Sequence, residues 1–76
     1  MIYTVRQGQR YRATLRLSFI EQFAGNDMIA ERLRAAGFSE VSVAGSGADR
    51  VAEAIWPNAD TSADLPPQVH EVEELS

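Results

Sequence analysis

Ala48-Asp49-Arg50-Val51-Ala52-Glu53-Ala54-Ile55-Trp56 is the stretch whose reading decides the fold. Two periods fit it. Read as a strand, Arg50, Ala52, Ala54 and Trp56 share one face, with Val51, Glu53 and Ile55 on the other. Read as a helix, Ala48, Val51, Ala52 and Ile55 form an apolar stripe, and Ser46 with Asp49 makes a capping box. The strand leads to a β-α-β-β-loop-β chain, the helix to β-α-β-α-β.

The arbiter lies upstream. Residues 10–17 alternate, with Tyr11, Ala13, Leu15 and Leu17 pointing one way and Arg10, Arg12, Thr14 and Arg16 the other. Strands inside a doubly covered parallel sheet are apolar on both faces. An arginine row therefore predicts a sheet with one wet face, hence antiparallel neighbours. On that ground residues 48–56 are read as a strand, joined to the segment before them by a hairpin at Gly45-Ser46-Gly47.

The rest follows outward from these two strands. Residues 2–6 either begin the first strand or form an earlier one, with Gly8 as a break. Ser18 and Glu21 have capping-box spacing and predict a short helical turn carrying Ile20 and Phe23. Gly25 and Asn26 interrupt or re-cap it. The main helix is predicted over residues 27–36, with Ile29, Ala30, Leu33 and Ala36 on one face and a Glu31–Arg34 pair on the surface. Gly37 is placed as its left-handed stop, with Phe38 folding back onto the last turn. Residues 40–44 alternate as a strand. Pro57 ends the strand before it, residues 57–67 read as a loop, Val69–Val72 as a last strand, and residues 73–76 as a frayed acidic tip. The expectation is one α+β domain over residues 1–76. It has a small, mostly antiparallel sheet and one main helix: a split β-α-β sheet of ferredoxin-like type with a loop in place of the second helix.

Composition narrows the function. At 76 residues the chain buries only about 60% of its unfolded surface, which leaves little room for an enclosed active site. It has no cysteine, so neither disulfides nor thiolate metal sites are available. Four arginines in the first twenty residues and no long apolar run give no visible signal peptide or membrane span. The expected location is cytoplasmic or virion-associated. All seven basic residues are arginine, against eleven acids, for a net charge of −4. The charges are segregated: residues 1–16 hold four arginines and no acid, whereas residues 57–76 hold five acids and no arginine.

No pattern of residues assembles a catalytic set. Gly45-Ser46-Gly47 lacks the third glycine of a dinucleotide loop, since position 50 is Arg, and the chain has no lysine for a P-loop. Asn58, Asp60, Ser62 and Asp64 stand at the first four alternate positions of a calcium loop, but Ala63 replaces its glycine and Val69 its bidentate glutamate. His70 is the sole histidine and has no partner at defined spacing. No cofactor, metal or enzymatic activity is expected. Arg10, Arg12 and Arg16 offer three readings: Arg12 and Arg16 face Glu71 and Glu73 across the sheet, or the row meets a protein partner, or it binds nucleic-acid phosphates. Tyr11 lies on the opposite face and the net charge is negative, so nucleic acid is disfavoured. Trp56, with Ile55, Leu65, Pro66 and Pro67, is either core or a contact patch for a protein partner.

Tyr11–Leu17, the helix after it, Ala36-Gly37-Phe38 and Val41-Ser42-Val43 resemble the first half of a SPOR-type peptidoglycan-binding domain; no second half of that repeat follows. The short, acidic, Ala- and Arg-rich format of the whole chain is similar to small phage-encoded accessory or virion proteins. That resemblance rests on no motif and assigns no residue. The leading expectation is a non-catalytic interaction or assembly module that docks on itself or on a larger protein. The alternatives are an acidic inhibitor or decoy of a nucleic-acid-binding protein, using Glu71, Glu73 and Glu74, and a small nucleic-acid binder using the arginine strand.

Overall fold

Alternation at residues 10–16 and 49–55 builds the centre of the molecule. In the computed structural model, which describes residues 2–75, β2 (Arg10–Arg16) and β4 (Asp49–Ile55) pair antiparallel in a register that sets Tyr11 opposite Ala54, Ala13 opposite Ala52 and Leu15 opposite Arg50. The strand reading of residues 48–56 is thus the correct one. β3 (Ser39–Ser46) turns through Gly47 and Ala48 into β4 and pairs with it antiparallel. β6 (Val69–Glu74) lies against the other side of β2. The order across this four-stranded sheet is β3-β4-β2-β6. β2 and β3 run in the same direction with β4 between them, so a crossover must join them. The crossover is the 3-10 turn Glu21–Phe23 followed by α1 (Asn26–Ala35).

The helix boundaries follow local chemistry. Ser18 and Glu21 form the reciprocal capping box: the Ser18 N–H donates to Glu21 Oε1 at 2.8 Å and the Glu21 N–H to Ser18 Oγ at 3.3 Å. It caps only a single turn, because Ala24 and Gly25 are extended and α1 restarts at Asn26. α1 ends in a Schellman motif, with the Phe38 N–H on Leu33 O and the Gly37 N–H on Arg34 O. Gly37 sits at φ 115°, and a Cβ there would stand 3.0 Å from the Trp56 ring. Glu31 and Arg34 pair at 3.1 Å as their spacing predicts.

The core is thin. Tyr11, Leu15, Ala30, Ala52, Ala54 and Trp56 are its buried apolar residues, and α1 packs on the β3 side of the sheet. The small side chains of Ala30, Ala52 and Ala54 let the helix approach closely. Trp56 is 9% exposed, stacks edge-on against Phe38 with ring centroids 4.9 Å apart, and donates its indole N–H to Ala59 O at 2.8 Å. At the other end of β4 lies Arg50, 5% exposed and in no ion pair among the described residues. Its guanidinium donates to the carbonyls of Gly47, Ala24 and Gln22 and to Asn26 Oδ1, at 2.8–3.1 Å. The hairpin turn, the 3-10 turn and the start of α1 thus converge on one side chain.

Two expectations need correction. Residues 57–67 are not all loop. β5 (Thr61–Asp64) pairs antiparallel with β1 (Ile2–Val5) to form a separate two-stranded sheet, with Thr4 Oγ1 and Ser62 Oγ 2.7 Å apart. Thr-Ser-Ala-Asp shows no alternation, because all four residues are exposed, and only a partner strand distant in sequence makes it a strand. Nor do residues 73–75 fray. β6 runs through Glu74, and the Leu75 N–H donates to Arg10 O at 2.8 Å. Met1 and Ser76 lie outside the described residues. The chain is a small α+β domain with one α-helix and two antiparallel sheets among the described residues, and no helix there is long and apolar enough to cross a membrane.

Two substitutions test this account. Arg50→Met strands three carbonyls in an apolar setting and should lower unfolding stability by roughly 3 kcal/mol. Arg50→Lys should recover little of it, since one ammonium cannot span the same acceptors. Gly37→Ala combines a positive φ with a crowded Cβ and should cost about 1–3 kcal/mol. Gly25→Ala, with no atom within 4 Å of the new Cβ, should cost markedly less. Urea midpoints at constant slope decide both comparisons.

Candidate functional site

The two faces of the four-stranded sheet differ in chemistry. On the outer face lie Arg10, Arg12, Thr14 and Arg16 of β2, with Ile55, Glu53, Val51 and Asp49 opposite them on β4. Arg12 meets Glu53 at 3.4 Å and Glu73 at 3.2 Å, so one of the two arginines does face an acid of the last strand. Arg16 pairs with Asp49 at 3.6 Å rather than with Glu71. The register that sets Arg12 opposite Glu73 also sets Glu71 across from Thr14, and it shifts only beyond that pair, where Leu15 meets Val69. Two of the three arginines are therefore engaged by neighbouring acids on the same face. Glu74, the next acid, is held by Arg6: the two make a bidentate pair, with Nε to Oε1 at 3.1 Å. The Tyr11 hydroxyl accepts from the Arg6 N–H at 2.7 Å and donates to Glu74 Oε1 at 3.0 Å. This strap ties the end of β1 to β6. The Arg6 guanidinium holds the Glu74 carboxyl below the usual carboxylate range, and burial pushes the Tyr11 phenol up.

The expected contact patch around Trp56 does not assemble. The indole is core, Ile55 is half-buried on the outer face beside Arg10, and Leu65 is half-buried. Pro66 and Pro67 are exposed and lie on the helix side of the sheet. In the loop that resembled a calcium site, Asp60 Oδ1 accepts from the Gln7 N–H at 2.8 Å and Asn58 Nδ2 donates to Gly37 O at 3.0 Å. No group of three or more His, Asp or Glu converges among the described residues.

What the structure does assemble is apolar. α1 covers the β3 side of the sheet and leaves a groove of about 400 Å³ over β2 and β6. Leu15, Leu17 and Val69 form its floor, Met28 and Leu33 one wall, and Pro66 the other. Its polar lining is Glu21, Arg32 and Gln68. Glu21 already accepts from Gln68 Nε2 and the Ser18 N–H, and the Ser18 hydrogen bond in particular holds its carboxyl below the usual range. It is an ionised acceptor with no second carboxylate beside it, which does not make an acid–base pair.

Along the rim of the groove, the segment that contributes Glu21 and Ala24 turns its large side chains outward. Phe19 is 77% exposed, Ile20 79% and Phe23 80%, and the two phenylalanine rings meet edge-on at 5.9 Å. Met28, in the groove wall, is itself 53% exposed. The residue spacing had assigned Ile20 and Phe23 to a helical turn and left Phe19 unplaced. The available signal was that three large apolar residues at 19, 20 and 23 occupy a turn too short to bury them.

Comparison with known protein families, curated proteins and solved structures returned no match. The expected likeness to SPOR-type domains therefore has no support and transfers no residue.

The Glu74 strap carries a signed pH prediction. A carboxyl whose folded pKa is depressed contributes stability above its unfolded pKa and loses it as pH falls through the lower folded value. Glu21 acts in the same direction. Thermal midpoints should therefore fall on acidification, and Glu74→Gln should lower the neutral-pH midpoint while narrowing the neutral-to-acid difference. A variant with the full wild-type difference would show that the strap does not contribute.

Proposed function

We propose that this chain is a non-catalytic interaction module that works by docking the Phe19–Phe23 rim and its groove against another protein surface. One observation carries this reading: Phe19, Ile20 and Phe23, three of the largest apolar side chains in the molecule, lie together at 77–80% exposure beside an apolar groove. An isolated exposed leucine needs no explanation, but a contiguous patch of this kind on a small domain is characteristic of interaction sites. The order β3-β4-β2-β6, with a helix joining two parallel strands across a third, supports assignment to the split β-α-β, ferredoxin-like arrangement. In that arrangement two helices cover one sheet face. Here one helix, the 3-10 turn and the Pro66–Pro67 segment stand on that face, and the groove is the uncovered part. Resemblance in format to phage accessory and virion proteins makes assembly of a larger particle the most concrete setting for such a module.

Engagement of Arg12 and Arg16 by Asp49, Glu53 and Glu73 favours docking over the alternatives. A nucleic-acid surface needs unpaired cations, and an acidic decoy needs free carboxylates; this face neutralises much of both.

A photo-crosslinking residue at Ile20, introduced in cells that make the chain, tests the reading. The expected product is a covalent adduct of discrete mass, lost when Phe19 and Phe23 are both changed to Ser. With Phe19 and Phe23 already exposed, that double variant should keep its folding midpoint within about 0.5 kcal/mol. No discrete adduct, or a double variant that unfolds, overturns it.

A further inference from the structure

We infer that the occupant of the groove is a second copy of this chain, docked about a two-fold axis so that the Phe19–Phe23 rim of each copy enters the groove of the other. This rests on the docking reading above and names its partner.

A two-fold contact requires one face to carry both a projection and the recess that receives it, because each copy presents the same surface. Residues 17–28 meet that condition. Phe19, Ile20 and Phe23 project from the segment, whereas Leu17, Glu21, Ala24 and Met28 of the same segment line the recess. The charges are also self-complementary. The lining holds one acid, Glu21, and one base, Arg32, and Arg32 makes no ion pair among the described residues. A two-fold contact lets the acid of each copy meet the base of the other. A partner of one dominant charge would leave one of the two opposed.

Area points the same way. A phenylalanine offers about 200 Å², so the exposed parts of Phe19, Ile20 and Phe23 sum to a patch on the order of 500 Å². Two such patches facing each other bury on the order of 1,000 Å², where specific interfaces begin.

The edges of the four-stranded sheet, a rival route to self-association, are blocked. β3 is interrupted between Ser39 and Ser42, where Glu40 sits at φ 48°. β6 presents Glu71 and Glu73, and pairing it with its own copy in antiparallel register would bring like charges together. On this sheet, self-association is left to the helix face.

Sedimentation equilibrium of the purified chain across a dilution series decides the question. The expected result is the mass of two chains at high micromolar concentration, falling to one on dilution. Phe19→Ser with Phe23→Ser should weaken the association at least 100-fold without changing the circular dichroism spectrum. Ile20→Lys, a second exposed site, should do the same, which guards against a folding artefact in either variant. One-chain mass up to millimolar concentration overturns the inference, as does a dimer that survives both variants. If the one-chain mass coincides with a discrete adduct to a different protein at Ile20, the self-association inference falls while the docking reading stands. If no adduct forms at all, both fall.

Discussion

The buried guanidinium of Arg50 is the constraint on which the rest of the structure depends. A cation removed from water needs every donor satisfied, and here the acceptors are neutral: three backbone carbonyls and one amide oxygen. Those acceptors come from the β3–β4 hairpin and, more than twenty residues earlier in sequence, from the 3-10 turn and the first residue of α1. No carboxylate competes for the charge, so carbonyls that would otherwise be left unpaired at the end of the 3-10 turn obtain a partner. The position of α1 over the sheet follows from this, and with it the width of the groove that α1 leaves open.

A second, weaker constraint acts at the opposite end. Arg6, Tyr11 and Glu74 close a small polar network that fixes the end of β1 on β2 and β6. Tyr3 meets Tyr11 edge-on at 5.9 Å in the same place. Between these two anchors the helix face of the sheet is left without a cover over β2 and β6. A thin core explains why the gap is not filled from within: among the described residues no side chain is fully buried, and the large apolar side chains that might have filled it face outward at the 3-10 turn.

The charge distribution takes on a narrower meaning. A net −4 made of a basic start and an acidic end suggested separate surfaces for separate partners. In the folded chain β2 lies between the two acid-bearing strands β4 and β6, and much of the opposition is internal. The binding surface that emerges is the apolar one, and it was harder to read. Phe19, Ile20 and Phe23 look like ordinary core candidates in a list of residues. Trp56 next to a proline read as either core or contact, and Phe38 and Gly37 close over it. Hydrophobicity alone cannot distinguish the two outcomes, because both kinds of residue carry the same apolar pattern and differ only in what the rest of the chain brings against them.

What the sequence determined by itself is local. The period of residues 10–16 made them a strand with Tyr11 and Leu15 on one face, and, once residues 48–56 are a strand, a period of two puts Arg50 and Trp56 on one face of it. Ser18 with Glu21 placed a cap, and Gly37 ended the helix. Each of these follows from backbone geometry within a few residues, where sequence distance and spatial distance coincide. Only the tertiary structure decided that Thr61–Asp64 is a strand, that Arg16 meets Asp49 instead of Glu71, and that the aromatic residues divide into a buried Trp56 and an exposed Phe19–Phe23 pair. Those outcomes depend on partners up to about sixty residues away and on the volume left between elements after they pack, neither of which is encoded in any local period.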